Sequence, residues 1–251
     1  MTDHTFDIVV STRDNHEWIE TYLLSYIKFT SDPYKYNIHI LDSSIEENYI
    51  TLVDIIDNFD LNIFLKRYSR DIHYHNIWTN GISLCNNDFI LITHADIIYL
   101  YKNWDLFLLD KINSNYNLIS VSVRTKKYPE SVFILSEKSI FTDSNFDHSM
   151  IDKKLIEHGL ILENQKKTSG LDFYIKDSIY YKMYGDIVLL EDKDFLYHSY
   201  YSSRIKPESS CPIPDGPEKN YILNREPFDK TIERLKLFLK SSESLSLKNF
   251  L

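Results

Sequence analysis

The chain has 251 residues, 43% of them hydrophobic, and a net charge of −9, so it can bury a sizeable core in one domain or in two small ones. The acidic balance argues against non-specific nucleic-acid binding, which requires Lys and Arg to neutralise phosphates, but it allows a nucleotide bound through a divalent cation. The two cysteines, Cys85 and Cys211, lack the spacing of a disulfide framework or a zinc site. There is no leader-like segment and no apolar run of membrane length, so we expect a cytoplasmic protein without a transmembrane segment.

The first half of the sequence alternates strand and helix patterns. Strands are predicted at 6–10, 36–41 and 61–65, and a fourth strand ends at His94. The intervening helices are predicted around 49–59 and 77–84, and before them a helix whose apolar side carries Trp18, Tyr22, Leu23, Tyr26 and Ile27. Asp14 and Glu17 have the spacing of a capping box at the start of this first helix. The alternation indicates parallel β-α-β units.

The second half is richer in strand patterns. Segments 118–123 and 131–135 predict a mixed or antiparallel extension of the same sheet, followed by a helix at 153–163 and short strands at 187–190 and 195–197. Segment 206–217 is dense in Pro and Ser and indicates an irregular linker. A helix at 228–240, with Ile232, Leu235, Leu237 and Phe238 as its apolar side, precedes a Ser-rich tail that either frays or docks on a partner.

The fourth strand is the most informative one, because its apolar run ends abruptly on His94-Ala95-Asp96. Ligands of open α/β sheets gather at the carboxyl ends of strands, so a carboxylate there is well placed for a metal ion or a phosphate. The alternative is an Asp that caps the following turn. The order of helix, strand and terminal Asp resembles the metal-binding signature of the GT-A nucleotide-sugar glycosyltransferases of the family 2 type. In that family the signature is Asp-x-Asp, and here His94 replaces the first acidic residue.

The resemblance extends over roughly residues 6–110. The first strand and its loop look like the family's nucleoside-binding segment, which implies nucleotide contacts at Ser11, Thr12 and Arg13. Leu41-Asp42-Ser43-Ser44 is similar to the family's Asp-Asp-Gly-Ser turn. Further nucleotide contacts are therefore implied at Asp42, which matches the uracil-binding position, and at Ser44, His94 and Ala95. Of the family's Arg-Asn-x-Gly only Gly81 is kept, with Asn76 or Asn80 as a partial replacement.

The resemblance also implies a metal site and an acceptor side. Asp96 and a late His198 are the implied ligands of Mn²⁺ or Mg²⁺, and Arg204 is the implied phosphate contact. Asp172, in Thr168-Ser169-Gly170-Leu171-Asp172, is the implied catalytic base, with Glu163 and Asp186 as alternatives. Each of these residues could equally be a cap, a surface charge or a satisfied strand-end histidine.

The fold class we expect is therefore α/β, a GT-A (Rossmann-like) domain with a mixed, mostly parallel central sheet flanked by helices. Residues 1–205 form the single domain, with a nucleotide-sugar-binding half at 1–115 and an acceptor half at 116–205, and 206–251 form a linker and a C-terminal helix and tail.

The resemblance implies, as the leading function, a metal-dependent, inverting glycosyltransferase of the hexosyltransferase type, acting in polysaccharide biosynthesis. It would transfer sugar from a UDP-linked donor to a glycan or other carbohydrate acceptor. One alternative is a non-catalytic descendant that binds nucleotide or glycan. A nucleotidyltransferase is disfavoured because the loop at 11–15 lacks glycine. The sequence leaves open whether the protein forms a homo-oligomer.

Overall fold

The computed structural model describes residues 4–72, 74–114, 118–122, 133–142, 178–184, 187–190, 193–198 and 228–241. The strands are β1 (Phe6–Thr12), β2 (Ile38–Asp42), β3 (Ile63–Arg67), β4 (Phe89–His94), β5 (Ile97–Tyr99), β6 (Leu118–Ser122), β7 (Phe133–Glu137), β8 (Ser178–Tyr184), β9 (Ile187–Leu190) and β10 (Lys193–His198). The helices are α1 (His16–Phe29), α2 (Glu46–Ile56), α3 (Tyr74–Leu84), α4 (Trp104–Asn113), α5 (Lys138–Thr142) and α6 (Phe228–Lys240). The helix predicted at 153–163 lies outside the described residues.

The ten strands form one sheet in the order β3-β2-β1-β4-β7-β6-β8-β9-β10-β5. The first four strands along the chain are parallel, whereas β7 runs antiparallel to β4 and β6 runs antiparallel to β7. This arrangement confirms the predicted mixed sheet with an antiparallel extension. Helices α1 and α2 join neighbouring parallel strands, and α3 carries the chain from β3 across to β4, so the carboxyl ends of β1, β2 and β4 meet along one edge of the sheet.

Helix α1 supplies one side of the main core. Trp18, Tyr22, Leu23 and Tyr26 are fully buried as predicted, but Ile27 is 41% exposed, because it lies beyond the stripe that faces the sheet. The predicted capping box is wrong. Asn15 occupies the N-cap position, and Asp14 adopts a left-handed conformation with φ of 53°, which directs its carboxylate away from the start of the helix.

Helix α3 packs closely on the sheet at Gly81. A Cβ atom at this position would collide with the buried side chain of Leu41 and would approach Cγ1 of Val9 at 3.2 Å. Any larger residue would therefore force the Leu41 side chain or α3 itself to shift. The glycine is required by packing, independently of any role in binding phosphate.

Helix α6 packs against α1. Ile232, Leu235 and Phe238 are buried as predicted, and Leu239 joins them. Leu237 was expected on the same side, but it is 65% exposed. Its position two residues after Leu235 rotates it to the opposite face of the helix.

Candidate functional site

Four of the predicted binding residues lie along the carboxyl edge of the parallel strands. Strand β1 lies between β2 and β4, and its end pairs with both: Thr12 is in register with Asp42, and Ser11 is in register with His94. Asp42 and His94 are therefore separated by one strand. The arrangement creates the crevice at strand ends where open α/β sheets bind ligands.

Asp96 lies in the two-residue turn between β4 and β5, and its side chain is only 9% exposed. The Nδ1 atom of His94 lies 4.0 Å from Oδ1 of Asp96, and the His94 ring stacks on Trp78 with their centroids 6.1 Å apart. Strand β10 places His198 opposite Ile97, the residue after Asp96. The backbone thus brings both predicted metal-binding positions to one corner of the sheet.

Asp42 organises the loop that follows β2. Its side chain has no exposed surface, and its two oxygens accept hydrogen bonds from the hydroxyl and the backbone N–H of Ser44, at 2.5 and 3.1 Å. Burial raises the pKa of Asp42, while the hydrogen bonds from Ser44 and the nearby Arg67 oppose that rise. Each oxygen of this carboxylate accepts one hydrogen bond from Ser44 and keeps one further acceptor position.

Asp14 connects three loops at the same edge, a role that its sequence pattern did not indicate. Its backbone N–H donates to the Ser44 hydroxyl at 2.6 Å, and its Oδ1 accepts from the Ile45 backbone and the Asn48 side chain, both at 3.0 Å. Its Oδ2 pairs with Arg70 at 3.0 Å. The left-handed backbone of Asp14 is held by these contacts, and it fixes the loop that carries Arg13.

Two polar atoms next to this network have no hydrogen-bond partner within the described part of the chain. They are the hydroxyl oxygen of Thr12, a residue that is 5% exposed, and Nε of Arg13. The guanidinium of Arg13 also donates to the backbone oxygen of Arg70 at 2.5 Å, so its side chain is held in place. Buried polar groups are nearly always paired, so an unpaired hydroxyl and guanidinium nitrogen at strand ends indicate a place for water or a polar ligand.

An open depression of about 520 Å³ lies beside these groups. Its lining comes from the loops after β2 and β3: Ser44, Ile45, Glu46, Arg67, Tyr68, Ser69 and Arg70. Three of the chain's seven arginines, Arg13, Arg67 and Arg70, therefore lie at this edge of a protein with net charge −9. The sequence signal that could have identified Arg67 and Arg70 is their position at the end of a predicted strand.

The remaining predicted site residues are not brought together by the described structure. Asn80 lies on the exposed side of α3, whereas Ala95 is buried beside Asp96. Asp172 and Arg204 lie outside the described residues, as do the alternative bases Glu163 and Asp186.

A second group with metal-ligand chemistry lies at the opposite, amino end of the strands. Asp7, His39 and Cys85 are buried, with ligand atoms within 4.8 Å of one another. Oδ1 of Asp7 accepts from the side chains of Asn37 and Asn87, and Oδ2 accepts from the backbone N–H groups of Asn86 and Asn87, at 2.7–2.9 Å.

Burial also raises the pKa of the Cys85 thiol to about 12. The lone pairs that a metal ion would use on Asp7 are therefore already occupied, and the thiol is held in its protonated form. This group is a structural clamp on the turn before β4, about 17 Å from the carboxyl edge at 3.3 Å per residue.

The sheet order, the parallel strands with crossover helices and the polar crevice at the carboxyl edge define the GT-A fold of nucleotide-sugar glycosyltransferases. No helix among the described residues is long and apolar enough to cross a membrane. No family model matches the chain, and no curated protein matches it.

Solved structures with the same fold do match. The chain is similar to S. aureus TarS, with a TM-score of 0.53 and 14% identity over 98% of this chain and 44% of the TarS chain. TarS 1–349 in complex with UDP matches with a TM-score of 0.50 and 11% identity over 98% of this chain and 68% of that one.

A mannosyltransferase from Pyrobaculum calidifontis, in complex with GDP-Man and Mn²⁺, has a TM-score of 0.47 and 12% identity over 54% of this chain and 45% of its own. The chain thus spans less than half the length of the full TarS chain and of the mannosyltransferase. The likeness to TarS confirms the predicted fold.

Proposed function

We propose that this protein is a glycosyltransferase that uses a nucleoside-diphosphate sugar, with UDP as the nucleotide. The observation that carries the proposal is the pair of unpartnered polar groups, on Thr12 and Arg13, at the carboxyl edge of a GT-A sheet. They lie where such sheets bind nucleotides, beside a depression lined by Arg67 and Arg70. Arg13 offers an anionic ligand a guanidinium nitrogen that lacks a partner among the described residues, whereas Arg67 and Arg70 are already paired with Glu46 and Asp14.

The donor would be held by groups that the fold already fixes. The Thr12 hydroxyl and the Arg13 guanidinium would gain the partners that they lack, and Arg70 would contribute positive charge from its ion pair with Asp14. Ser11 and Ser44 frame the same loops. TarS, whose fold this chain shares, binds UDP.

The corner at Asp96 fits a divalent cation by the chemistry of its donors. A carboxylate and two imidazoles, from Asp96, His94 and His198, suit Mn²⁺ or Mg²⁺, with Mn²⁺ favoured by the nitrogen ligands. When bound there, the cation supplies Lewis-acid neutralisation of the departing diphosphate. Burial of Asp96 excludes water around its carboxylate and strengthens its attraction for positive charge.

The acceptor half would supply the base. In the inverting reaction that we propose, Asp172 removes the proton from the acceptor hydroxyl as that oxygen attacks C1 of the donor sugar, opposite the leaving diphosphate. Arg204 would contact the diphosphate. A glycan or other carbohydrate is the acceptor class that we propose.

A second candidate function is nucleotide or glycan binding without turnover. The observation that favours it is the complete burial of Asp42, whose carboxylate is hydrogen-bonded to Ser44 within the chain. His94 in the position of the first family aspartate points the same way, because imidazole contributes no negative charge to hold a cation.

The experiment is donor hydrolysis with UDP-sugars in the presence of Mn²⁺, compared between wild type, Asp96→Asn and Asp54→Asn. Asp54 lies on the exposed side of α2 and provides a matched control. Loss of the buried carboxylate should lower hydrolysis on the order of a hundredfold, whereas the control should retain wild-type activity. Retained hydrolysis in Asp96→Asn would remove the metal assignment. Binding of UDP without hydrolysis in wild type would favour the second function.

A further inference from the structure

Strand β5 is the shortest described strand and adjoins the proposed cation corner. It has three residues, it begins directly after Asp96, and it is the last strand of the sheet. Within the described structure it pairs only with β10, through Ile97, Ile98 and Tyr99. Strand β10 also pairs with β9, and Ile97 and Tyr99 are buried in the main core. Ile98 lies on the opposite face of β5, so its burial depends on a different part of the chain.

Helix α6 covers that face of β5 from the far end of the sequence. Ile98 of β5 and Tyr197 of β10 are buried in one cluster with Ile232, Leu235, Phe238 and Leu239 of α6. Trp18 of α1 completes the cluster, and its ring stacks on Tyr197 with centroids 6.4 Å apart. Ile98 is two residues from Asp96, and Tyr197 directly precedes His198. The side chains that α6 buries are thus next to the proposed cation-binding residues.

Lys28 of α1 holds the end of α6 in place. Its ammonium group donates to the backbone oxygens of Phe238 and Leu239, both at 3.1 Å, and of Ser241, at 2.5 Å. It also lies 5.4 Å from the centre of the Phe238 ring. A cation at this position satisfies carbonyl groups that helix ends leave unpaired and favours the negative end of the helix dipole. Closer to the middle of α6, Lys236 pairs with Glu20 of α1.

We propose that α6 is a positioning element for the cation corner, which holds the β5–β10 ribbon, and with it Asp96 and His198, in the geometry needed to bind the cation. The proposal rests on the proposed function. Leu235 is the central positioning residue, because it is fully buried between α1 and the ribbon. The hydrogen bonds from Lys28 hold the carboxyl end of α6 against α1.

The test compares two substitutions in the same helix, Leu235→Ala and Leu237→Ala. Leu235 is fully buried and Leu237 is 65% exposed, so the two changes are chemically identical and differ in packing. Hydrogen exchange of backbone amides should accelerate roughly tenfold or more in β5 and β10 in Leu235→Ala, because truncation of a buried leucine lowers the cost of local opening. Leu237→Ala should leave these amides unchanged.

Acceleration confined to α6, or equal in both variants, would overturn the proposal. Lys28→Met provides a second variant, with the exposed Lys66→Met as its control. We expect Lys28→Met to accelerate exchange in the ribbon as Leu235→Ala does. An unchanged ribbon would also overturn the proposal, and neither measurement needs an active enzyme.

Cation affinity provides the readout that a purely structural role would not move. In the presence of UDP, the Kd for Mn²⁺, measured by titration of free Mn²⁺, should rise about fivefold or more in Leu235→Ala and stay at the wild-type value in Leu237→Ala. Unchanged affinity alongside faster ribbon exchange would overturn the coupling. Wild-type protein that binds no Mn²⁺ would refute the proposed function, and the exchange measurements would still decide whether α6 holds the ribbon.

Discussion

The unpaired hydroxyl of Thr12 predicts that stability and binding change in opposite directions when it is removed. Thr12→Val keeps the shape of the side chain and replaces the buried hydroxyl, which lacks a partner in the described structure, by a methyl group. Burial of an unpaired polar group costs about 1–3 kcal/mol, so the free energy of unfolding should increase by about 1 kcal/mol in the ligand-free protein. If Thr12 binds the donor, UDP affinity should fall about fivefold, the equivalent of one lost hydrogen bond.

The assay combines urea denaturation of the ligand-free protein with calorimetric titration of UDP and Mn²⁺. Thr21→Val is the matched control, because the Thr21 hydroxyl is equally buried but donates to the backbone oxygen of Trp18 at 2.8 Å. The control should lose about 1 kcal/mol of stability and keep its UDP affinity. A destabilised Thr12→Val with unchanged UDP affinity would refute the reasoning, because the hydroxyl would then have a structural partner and no ligand.

Three further predictions concern the clamp and the loop after β2. Asp7→Ala should lower the free energy of unfolding, measured by urea denaturation, by about 3 kcal/mol or more, because two backbone N–H groups lose their acceptor. Zinc should not raise the melting temperature of wild type in a thermal melting curve. In the Cys211→Ser variant, Cys85 should resist thiol reagents at pH 8 until the protein unfolds, because burial raises the pKa of its thiol to about 12. A labelling time course that shows rapid modification in the folded state would contradict this. Burial raises the pKa of Asp42 above its ordinary value of 3.8, so the folded state retains this proton at a pH where the unfolded chain has lost it. The stability of wild type relative to Asp42→Asn should therefore decrease as the pH rises from about 4 through the raised pKa. Denaturation curves at several pH values measure this difference, and a constant difference would show that the carboxyl titrates normally.

The sequence predicted the order of strands and helices well where periodicity is strong. The four parallel strands, the antiparallel extension and helix α6 were all predicted, with boundaries displaced by up to three residues. Strand β5 was missed because three residues carry no measurable periodicity. The strand ends also identified the edge where Thr12, Asp42 and His94 meet, because parallel topology fixes that edge whatever the exact register.

The contacts made by individual side chains were not predictable in the same way. Asp14 and Glu17 have the letters of a capping box, but the positive φ of Asp14 turns its carboxylate toward Asn48 and Arg70. A sequence pattern contains no signal for that dihedral angle. Likewise, Lys28 reaches carbonyl groups more than 200 positions away, and such contacts exist only after the whole chain has folded.

Asp7 and the Thr12–Arg13 pair, at opposite ends of the parallel strands, use different shares of their hydrogen-bonding capacity. At the amino end, Asp7 gathers four donors and leaves no acceptor position spare. At the carboxyl end, Thr12 and Arg13 retain unmet hydrogen-bonding capacity. Substitutions that change nucleotide preference are therefore expected at the carboxyl end, around Thr12 and Arg13. Substitutions of Asp7 at the amino end should instead destabilise the sheet.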